Sequence, residues 1–107
     1  MKKYIKASEI PNVPIEELWG WVCSNDIDNV VNYYNRGGEV GRKYNRFGYD
    51  NSLIMGAVRN GNYELANILA DYGEDVSHSE AVELNSLLDG RYNSQLEDLV
   101  SKLIYSK

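Results

Sequence analysis

One stretch of the chain, residues 59–77, places a short apolar stripe between two glycines, Gly61 and Gly73. The apolar residues recur at the spacing of an α-helix and give it one apolar face: Leu65, Ile68 and Leu69. Glycine adopts a positive φ without steric cost, so each glycine suits a turn that reverses the chain at a helix end. The stretch therefore predicts a helix between two tight turns, which must stack on a neighbouring unit to cover its apolar face.

The same pattern occurs a second time, because residues 25–41 superpose on 61–77 without gaps at an offset of 36. The equivalent pairs share residue type or chemical character: Asn25/Gly61, Asp28/Glu64, Val30/Ala66, Tyr33/Leu69, Gly37/Gly73, Glu39/Asp75 and Val40/Val76. An apolar run precedes each copy, at residues 16–22 and 51–60. Two copies of a helix–turn–helix unit are typical of a repeat protein, in which each unit packs on the next.

Both copies resemble the ankyrin repeat, whose second half reads Gly-x-x-Glu-x-Val-x-x-Leu-Leu-x-x-Gly-Ala-Asp-Val-Asn. Residues 51–60 occupy the place of that family's Thr-Pro-Leu-His-x-Ala-Ala segment, with Ser52 for Thr, Ile54 for Leu and Ala57 for Ala. Further along, residues 77–107 look like a third, terminal repeat. Two capping-box patterns there predict helix starts; they are Ser77 with Glu80 and Ser94 with Glu97.

The resemblance implies an all-α fold, an ankyrin-repeat solenoid of about three helix–turn–helix repeats in a single domain, residues 1–107. The expected repeats are about 12–47, 48–77 and 78–107, after an N-terminal extension at 1–11. The offset of 36 exceeds the family's usual ~33 residues, which places a long hairpin loop after the first repeat. Trp21 also takes a position that the family usually fills with Ala.

The charge and the apolar pattern exclude several classes of partner. The net charge of −5 argues against nucleic acid, because phosphate binding relies on Lys and Arg. Acidity either steers association with a basic protein or only keeps the chain soluble. No apolar run approaches the roughly 18 residues of a membrane span, and the basic N-terminus lacks the apolar core of a signal peptide. A single cysteine suits a reducing compartment, so we expect a cytoplasmic protein.

Candidate catalytic groups are few, so we expect no enzyme and no cofactor. One His and one Cys, His78 and Cys23, do not make up a metal cluster, although a Cys23/His78 dyad stays open. Both are better interpreted as ordinary helix and loop residues. Carboxylates are plentiful, and acidic side chains such as Glu74 and Glu80 are expected to face solvent.

The long loop after the first repeat carries the residue types that dominate protein interfaces, Tyr, Phe and Arg. The ankyrin resemblance implies binding through such loops and through the exposed face of each first helix. The candidate partner-binding residues are Trp19, Arg42, Lys43, Tyr44, Arg46, Phe47, Tyr49, Asn51, Met55 and Arg59. The basic residues of the loop suit an acidic groove on a partner. Alternatively, Tyr44, Phe47 and Tyr49 pack the loop onto its own scaffold.

Size, charge and the degenerate repeats resemble the immunity proteins of bacterial toxin systems. That resemblance implies a small non-catalytic inhibitor, a monomer that neutralises a cognate toxin by forming a 1:1 complex. A basic nuclease toxin would suit the acidity of the chain. A general ankyrin adaptor or scaffold is the alternative, and a small Cys23-dependent enzyme is a third hypothesis from a different class.

Overall fold

Helices make up most of the chain in the computed structural model, which describes residues 13–90 and 93–105. The elements in chain order are α1 Ile15–Cys23, α2 Ile27–Asn35, β1 Lys43–Arg46, β2 Tyr49–Ser52, α3 Leu53–Arg59, α4 Tyr63–Asp71, α5 His78–Gly90 and α6 Ser94–Val100, with a π-helical turn at Ser101–Tyr105. The expected mainly helical class is confirmed, and the two-stranded hairpin is an addition to it. The predicted extension, residues 1–11, lies outside the described residues.

The backbone repeats at the offset read from the sequence. Helices α2 and α4 begin and end 36 residues apart. The turn before each helix has a residue at positive φ, Asn25 at 61° and Gly61 at 76°. The turn after each helix does too, at Gly37 (91°) and Gly73 (104°). Asparagine replaces glycine in the first copy because its short polar side chain tolerates the left-handed region.

Hydrogen bonds in the turns repeat as well. The Asp26 N–H donates to the Trp21 carbonyl oxygen at 2.8 Å, and the Asn62 N–H donates to the Ala57 carbonyl oxygen at 2.9 Å. Trp21 and Ala57 are both buried, so this repeat position accepts a large and a small side chain. The helix pairs α1–α2 and α3–α4 are therefore two copies of one local structure.

Helix α3 lies at the centre of the packing. It contacts α1 on one side and α4 on the other, while α6 contacts both α4 and α5. Every residue from Leu53 to Val58 is buried. A helix that is apolar all round has no solvent face, which agrees with this central position. The prediction that Met55 belongs to a binding surface is therefore wrong: Met55 is fully buried in the core.

Glu80 is buried, contrary to the expectation that it faces solvent. Its side chain is 6% exposed and completes the predicted capping box of α5. The Ser77 N–H donates to Glu80 Oε1 at 2.9 Å, and the Glu80 N–H donates to Ser77 Oγ at 3.2 Å. Glu80 Oε2 also accepts from the Ser52 N–H at 3.1 Å and from Ser52 Oγ at 3.2 Å. The carboxylate thus joins the start of α5 to the start of α3, which Ser52 caps.

Glu74 is the second carboxylate whose predicted exposure is wrong, since it is 3% exposed. The Tyr34 hydroxyl donates to Glu74 Oε2 at 2.5 Å. The Gly41 N–H donates to both carboxylate oxygens, at 3.1 and 3.2 Å. Burial raises the pKa of Tyr34 far above its ordinary range, and the hydrogen bond to Glu74 raises it further. Glu74 thus holds the segment that leads into the hairpin against α2.

The second predicted capping box is not formed. Ser94 is the first residue of α6, and the cap is Asn93. The Asn93 side-chain oxygen accepts from the Gln95 N–H at 2.9 Å and from the Leu96 N–H at 3.1 Å. Asparagine is as good an N-cap as serine, so the helix starts one residue earlier than the serine pattern predicts.

Candidate functional site

The expected long loop is a β-hairpin with a two-residue turn. Strand β1 pairs antiparallel with β2, from Lys43 opposite Ser52 to Arg46 opposite Tyr49. The turn residues are Phe47 at φ 55° and Gly48 at φ 84°. Positive φ at both turn positions defines the type I′ turn, whose twist matches that of paired strands. The projecting segment is therefore an ordered ribbon.

The base of this hairpin is fixed to the helices by stacked aromatic rings. The Tyr44 ring stacks on Trp19 of α1, with centroids 4.8 Å apart and planes inclined by 19°. Trp19 in turn lies over Gly56 of α3, where a Cβ atom would come within 2.8 Å of the indole ring. Glycine at position 56 therefore allows the close approach of Trp19 to α3. For Tyr44, the interpretation as scaffold packing holds.

The hairpin tip is different, because its aromatic rings are in solvent. Phe47 is 86% exposed and Tyr49 is 75% exposed, more than any other large apolar side chain in the described part of the molecule. The Arg46 guanidinium carbon lies 5.2 Å from the centroid of the Phe47 ring. Arg46 itself is exposed, and it forms no ion pair with a carboxylate within residues 13–90 and 93–105. The tip thus presents two aromatic rings and a cation.

A groove runs beside the hairpin, made of two adjacent cavities of about 550 and 460 Å³ that share three residues: Arg46, Asn51 and Arg59. The larger cavity is completed by Trp19, Cys23, Gly56 and Asn60. The smaller is completed by hairpin-tip residues and by the start of α5, namely Phe47, Tyr49, Asp50, Ser77, Ser79, Glu80 and Glu83. Seven of the ten predicted binding residues line the groove or stack on its wall.

Arg59 is held in place by three side-chain hydrogen bonds. Its Nη1 donates to Asn51 Oδ1 at 2.7 Å, while Nε and Nη2 donate to the Glu83 carboxylate at 3.2 and 3.1 Å. The hydrogen bonds that Arg59 donates to Glu83 raise the pKa of Arg59. Asn51 also donates to the Tyr44 and Tyr49 carbonyl oxygens, which connects this network to both strands. Arg59 and Asn51 therefore shape the groove and fix the hairpin beside it.

Two predicted basic residues lie at the start of the hairpin, away from its tip. Arg42 is half-buried, and its Nη1 donates to the Val13 carbonyl oxygen at 2.7 Å. It thereby ties the segment before β1 to the segment before α1. Lys43 is exposed at the first position of β1. Of the three cationic residues of the segment 42–51, Arg46 alone lines the groove.

The two candidate catalytic groups are Cys23, the last residue of α1, and His78, the first residue of α5. Cys23 is half-buried; burial raises the pKa of its thiol, while a hydrogen bond with Asn60 and the charge of Arg46 lower it. The net direction is upward, which favours the thiol over the nucleophilic thiolate. His78 is exposed at the first residue of α5. Among the described residues there is no group of His, Cys, Asp and Glu suited to a metal ion, and no helix is long and apolar enough to cross a membrane.

Several groove residues are absent from the predicted set, among them Gly56, Asn60 and Glu83. Gly56 had a usable signal, because glycine inside an apolar helix often marks a close approach of another element. Glu83 had none, since its role depends on the distance between α3 and α5 in space. Comparison with known proteins gives no match to a protein family, to a curated protein or to a solved structure.

Proposed function

We propose that the chain is a non-catalytic protein-binding module whose recognition surface is the hairpin tip and the adjoining groove. The observation that carries this proposal is the exposure of Phe47 and Tyr49 on a hairpin whose base is fixed by the Trp19–Tyr44 stack. Exposed aromatic side chains on a rigid support lose little conformational entropy when they bind, which favours tight association. The groove supplies a concave surface next to them.

The scaffold is proposed to be a short ankyrin-type array. Support comes from the two helix pairs at an offset of 36 and from the positive φ values at equivalent turns. A projecting two-stranded hairpin between consecutive helix pairs agrees with that architecture. In this interpretation α5 and α6 form the terminal unit, which packs on α4 through α6.

Within this class, the best-supported role is a small cytoplasmic inhibitor that neutralises a toxin by direct 1:1 binding. The support is the net charge of −5, which accelerates encounter with a basic toxin such as a nuclease. A general adaptor is the alternative, and it would use the same surface with several partners. The Cys23-dependent enzyme has less support, because burial raises the pKa of the thiol.

The test is affinity capture of tagged protein from its native cells, followed by mass spectrometry. We expect one dedicated protein at near-equal stoichiometry with the wild type. Replacing Arg46, Phe47 and Tyr49 together by Ala should weaken binding of that protein by about 100-fold or more. The matched control replaces two exposed apolar residues of α5 outside the groove, Val82 and Leu87, by Ala, and it should bind like the wild type. Retention of a broad set of housekeeping proteins, or of none, would contradict the inhibitor role.

A further inference from the structure

Phe47 occupies a backbone conformation that its side chain disfavours. Its φ is 55°, in the left-handed region, where a bulky L-residue is strained. The type I′ turn is normally built from Asn-Gly or Asp-Gly, because Asn and Asp tolerate this region. In this hairpin, Asn45 and Asp50 lie in the strands, whereas phenylalanine occupies the first turn position.

The contacts of the Phe47 side chain within the protein do little to offset this strain. The Phe47 side chain is 86% exposed, and its one ring contact with a charged group is with Arg46, its neighbour in the chain. A phenylalanine that contributes neither turn propensity nor core packing lowers the stability of the isolated protein. Strained residues that the fold does not use are concentrated at sites where proteins bind ligands or partners.

We propose that Phe47 is an anchor that inserts into an apolar pocket of a partner protein, and that carboxylates of the partner surround this pocket. This inference rests on the proposed binding function. Side-chain hydrogen bonds hold the two strands together below the ring: Asn45 donates to Asp50 across the strands at 3.0 Å, and Asn51 donates to the backbone of both strands. A pre-organised aromatic residue at the tip binds without a cost for ordering the loop.

The positive charge of the hairpin segment predicts acidic side chains around the partner's pocket. Residues 42–51 contain three cationic side chains and one carboxylate, a net charge of +2, so the rest of the chain carries −7. At contact distance the local charges dominate, because salt screens charges that lie more than about 8–10 Å away. Insertion of Phe47 brings Arg46 to the partner surface, where a carboxylate is the acceptor that compensates a desolvated guanidinium most strongly. Before contact, the net charge of −5 on each molecule opposes the approach of a second copy of this chain.

The substitution Phe47→Asn distinguishes a binding role of Phe47 from a structural role. Asn-Gly is a favoured type I′ turn, so the hairpin is kept and the melting temperature should stay equal or rise. The affinity for the partner should nevertheless fall by about 30-fold or more, as expected for a central aromatic contact. A purely structural role for Phe47 gives the opposite result, with affinity unchanged.

The experiment places the photo-crosslinker p-benzoylphenylalanine at position 47, or at position 82 as the control, in cells that make the native partner. The protein crosslinked at position 47 is identified, purified and titrated with the wild type and with F47N, R46Q and V82N. We expect the crosslinked residue to lie in an apolar pocket lined by acidic side chains. We also expect R46Q to weaken binding about 5- to 10-fold at low salt and less at high salt, while V82N binds like the wild type.

The outcomes distinguish this inference from the proposed function. If the wild type retains no partner and position 47 gives no crosslink, the binding function itself is contradicted. If the wild type retains a partner that F47N binds equally well, the anchor alone is refuted. A crosslink to a second copy of this chain, or to a basic surface, overturns the choice of partner.

Discussion

At the scale of single residues, the two buried carboxylates have an importance that their sequence context does not reveal. Glu74 accepts from Tyr34 and Gly41, and Glu80 accepts from Ser52 and Ser77. Each one accepts from a buried donor, the Tyr34 hydroxyl for Glu74 and the Ser52 N–H for Glu80, and a buried donor without a partner is costly in a folded protein. Exposure of acidic side chains is a statistical expectation, and it fails where a carboxylate is needed to pair such groups.

Tyr34 gives the protein a pH dependence at high pH. Its folded pKa lies far above the value of about 10 of an unfolded tyrosine, so the contribution to stability is present below about pH 10 and is lost as the pH rises further. Above that point the unfolded state releases a proton that the folded state keeps. Ionisation of Tyr34 in the unfolded state should therefore lower the free energy of unfolding by about 1.4 kcal/mol for each pH unit above about pH 10.

The measurement compares urea unfolding of the wild type and of Tyr34→Phe between about pH 10 and pH 11.5. The variant should be less stable at neutral pH, by about 1–2 kcal/mol, because it loses the hydrogen bond to Glu74. Its stability should also fall less steeply with pH than that of the wild type. Parallel curves for the two proteins would show that Tyr34 is not protonated preferentially in the folded state.

At the scale of elements, two glycines at equivalent repeat positions differ in what surrounds them. Gly20 of α1 has open space around an added Cβ, whereas Gly56 of α3 has the Trp19 ring at 2.8 Å. Gly20→Ala should stabilise the protein by up to about 1 kcal/mol, because alanine favours a helix. Gly56→Ala should destabilise it by about 1–3 kcal/mol through overpacking.

Denaturant unfolding and the near-ultraviolet circular dichroism of the tryptophans test this pair. Gly56→Ala should also change the tryptophan signal, since it displaces Trp19 from its stack on Tyr44. The matched change at Gly20 should leave that signal unaltered. Equal effects of the two substitutions would mean that Trp19 does not pack on α3.

How far the sequence predicted these elements depends on whether the signal is local. Helix ends at Gly61 and Gly73 follow from backbone freedom at a single residue, and these were predicted correctly. The segment was expected as a long hairpin loop and its two strands were not predicted, because its turn is Phe-Gly and lacks the Asn-Gly signal. Met55 was placed on the surface because an apolar stripe does not reveal how many sides of a helix are covered.

The sequence predicted the residue types of the candidate site. It did not predict which of these residues support the fold and which are exposed. The aromatic and basic residues of 42–51 were identified together, yet Tyr44 and Arg42 support the fold while Phe47 and Arg46 project from it. Which ring stacks and which remains exposed depends on the strand register and on the position of Trp19. Both are tertiary properties that no local pattern encodes.

At the scale of the whole molecule, Glu80 couples successive helix pairs, because one carboxylate caps α5 and also binds Ser52 at the start of α3. Glu80→Ala should lower the free energy of unfolding by about 2–3 kcal/mol, since it leaves the buried N–H and hydroxyl of Ser52 without this acceptor and removes the cap of α5. Glu97→Ala is the matched control: Glu97 has the same sequence pattern, but it is exposed on α6. Its replacement should cost at most about 1 kcal/mol, from the helix dipole.

Chemical denaturation followed by circular dichroism measures both variants. The two serine–glutamate patterns are equivalent in sequence, so the difference between the variants isolates the contribution of tertiary contacts. If Glu80→Ala and Glu97→Ala cost the same, α3 and α5 are not coupled through Glu80.

Ser52 ends strand β2 and also caps α3, so no linker residue separates the hairpin from the most buried helix. Strand β2 therefore continues directly into α3 without a hinge segment. A force on the hairpin tip must bend the strands or displace α3. A short ribbon of this kind resists bending better than a loop does. Under the proposed function, a molecule bound at the tip would act on α3, and through Ser52 and Glu80 on the start of α5.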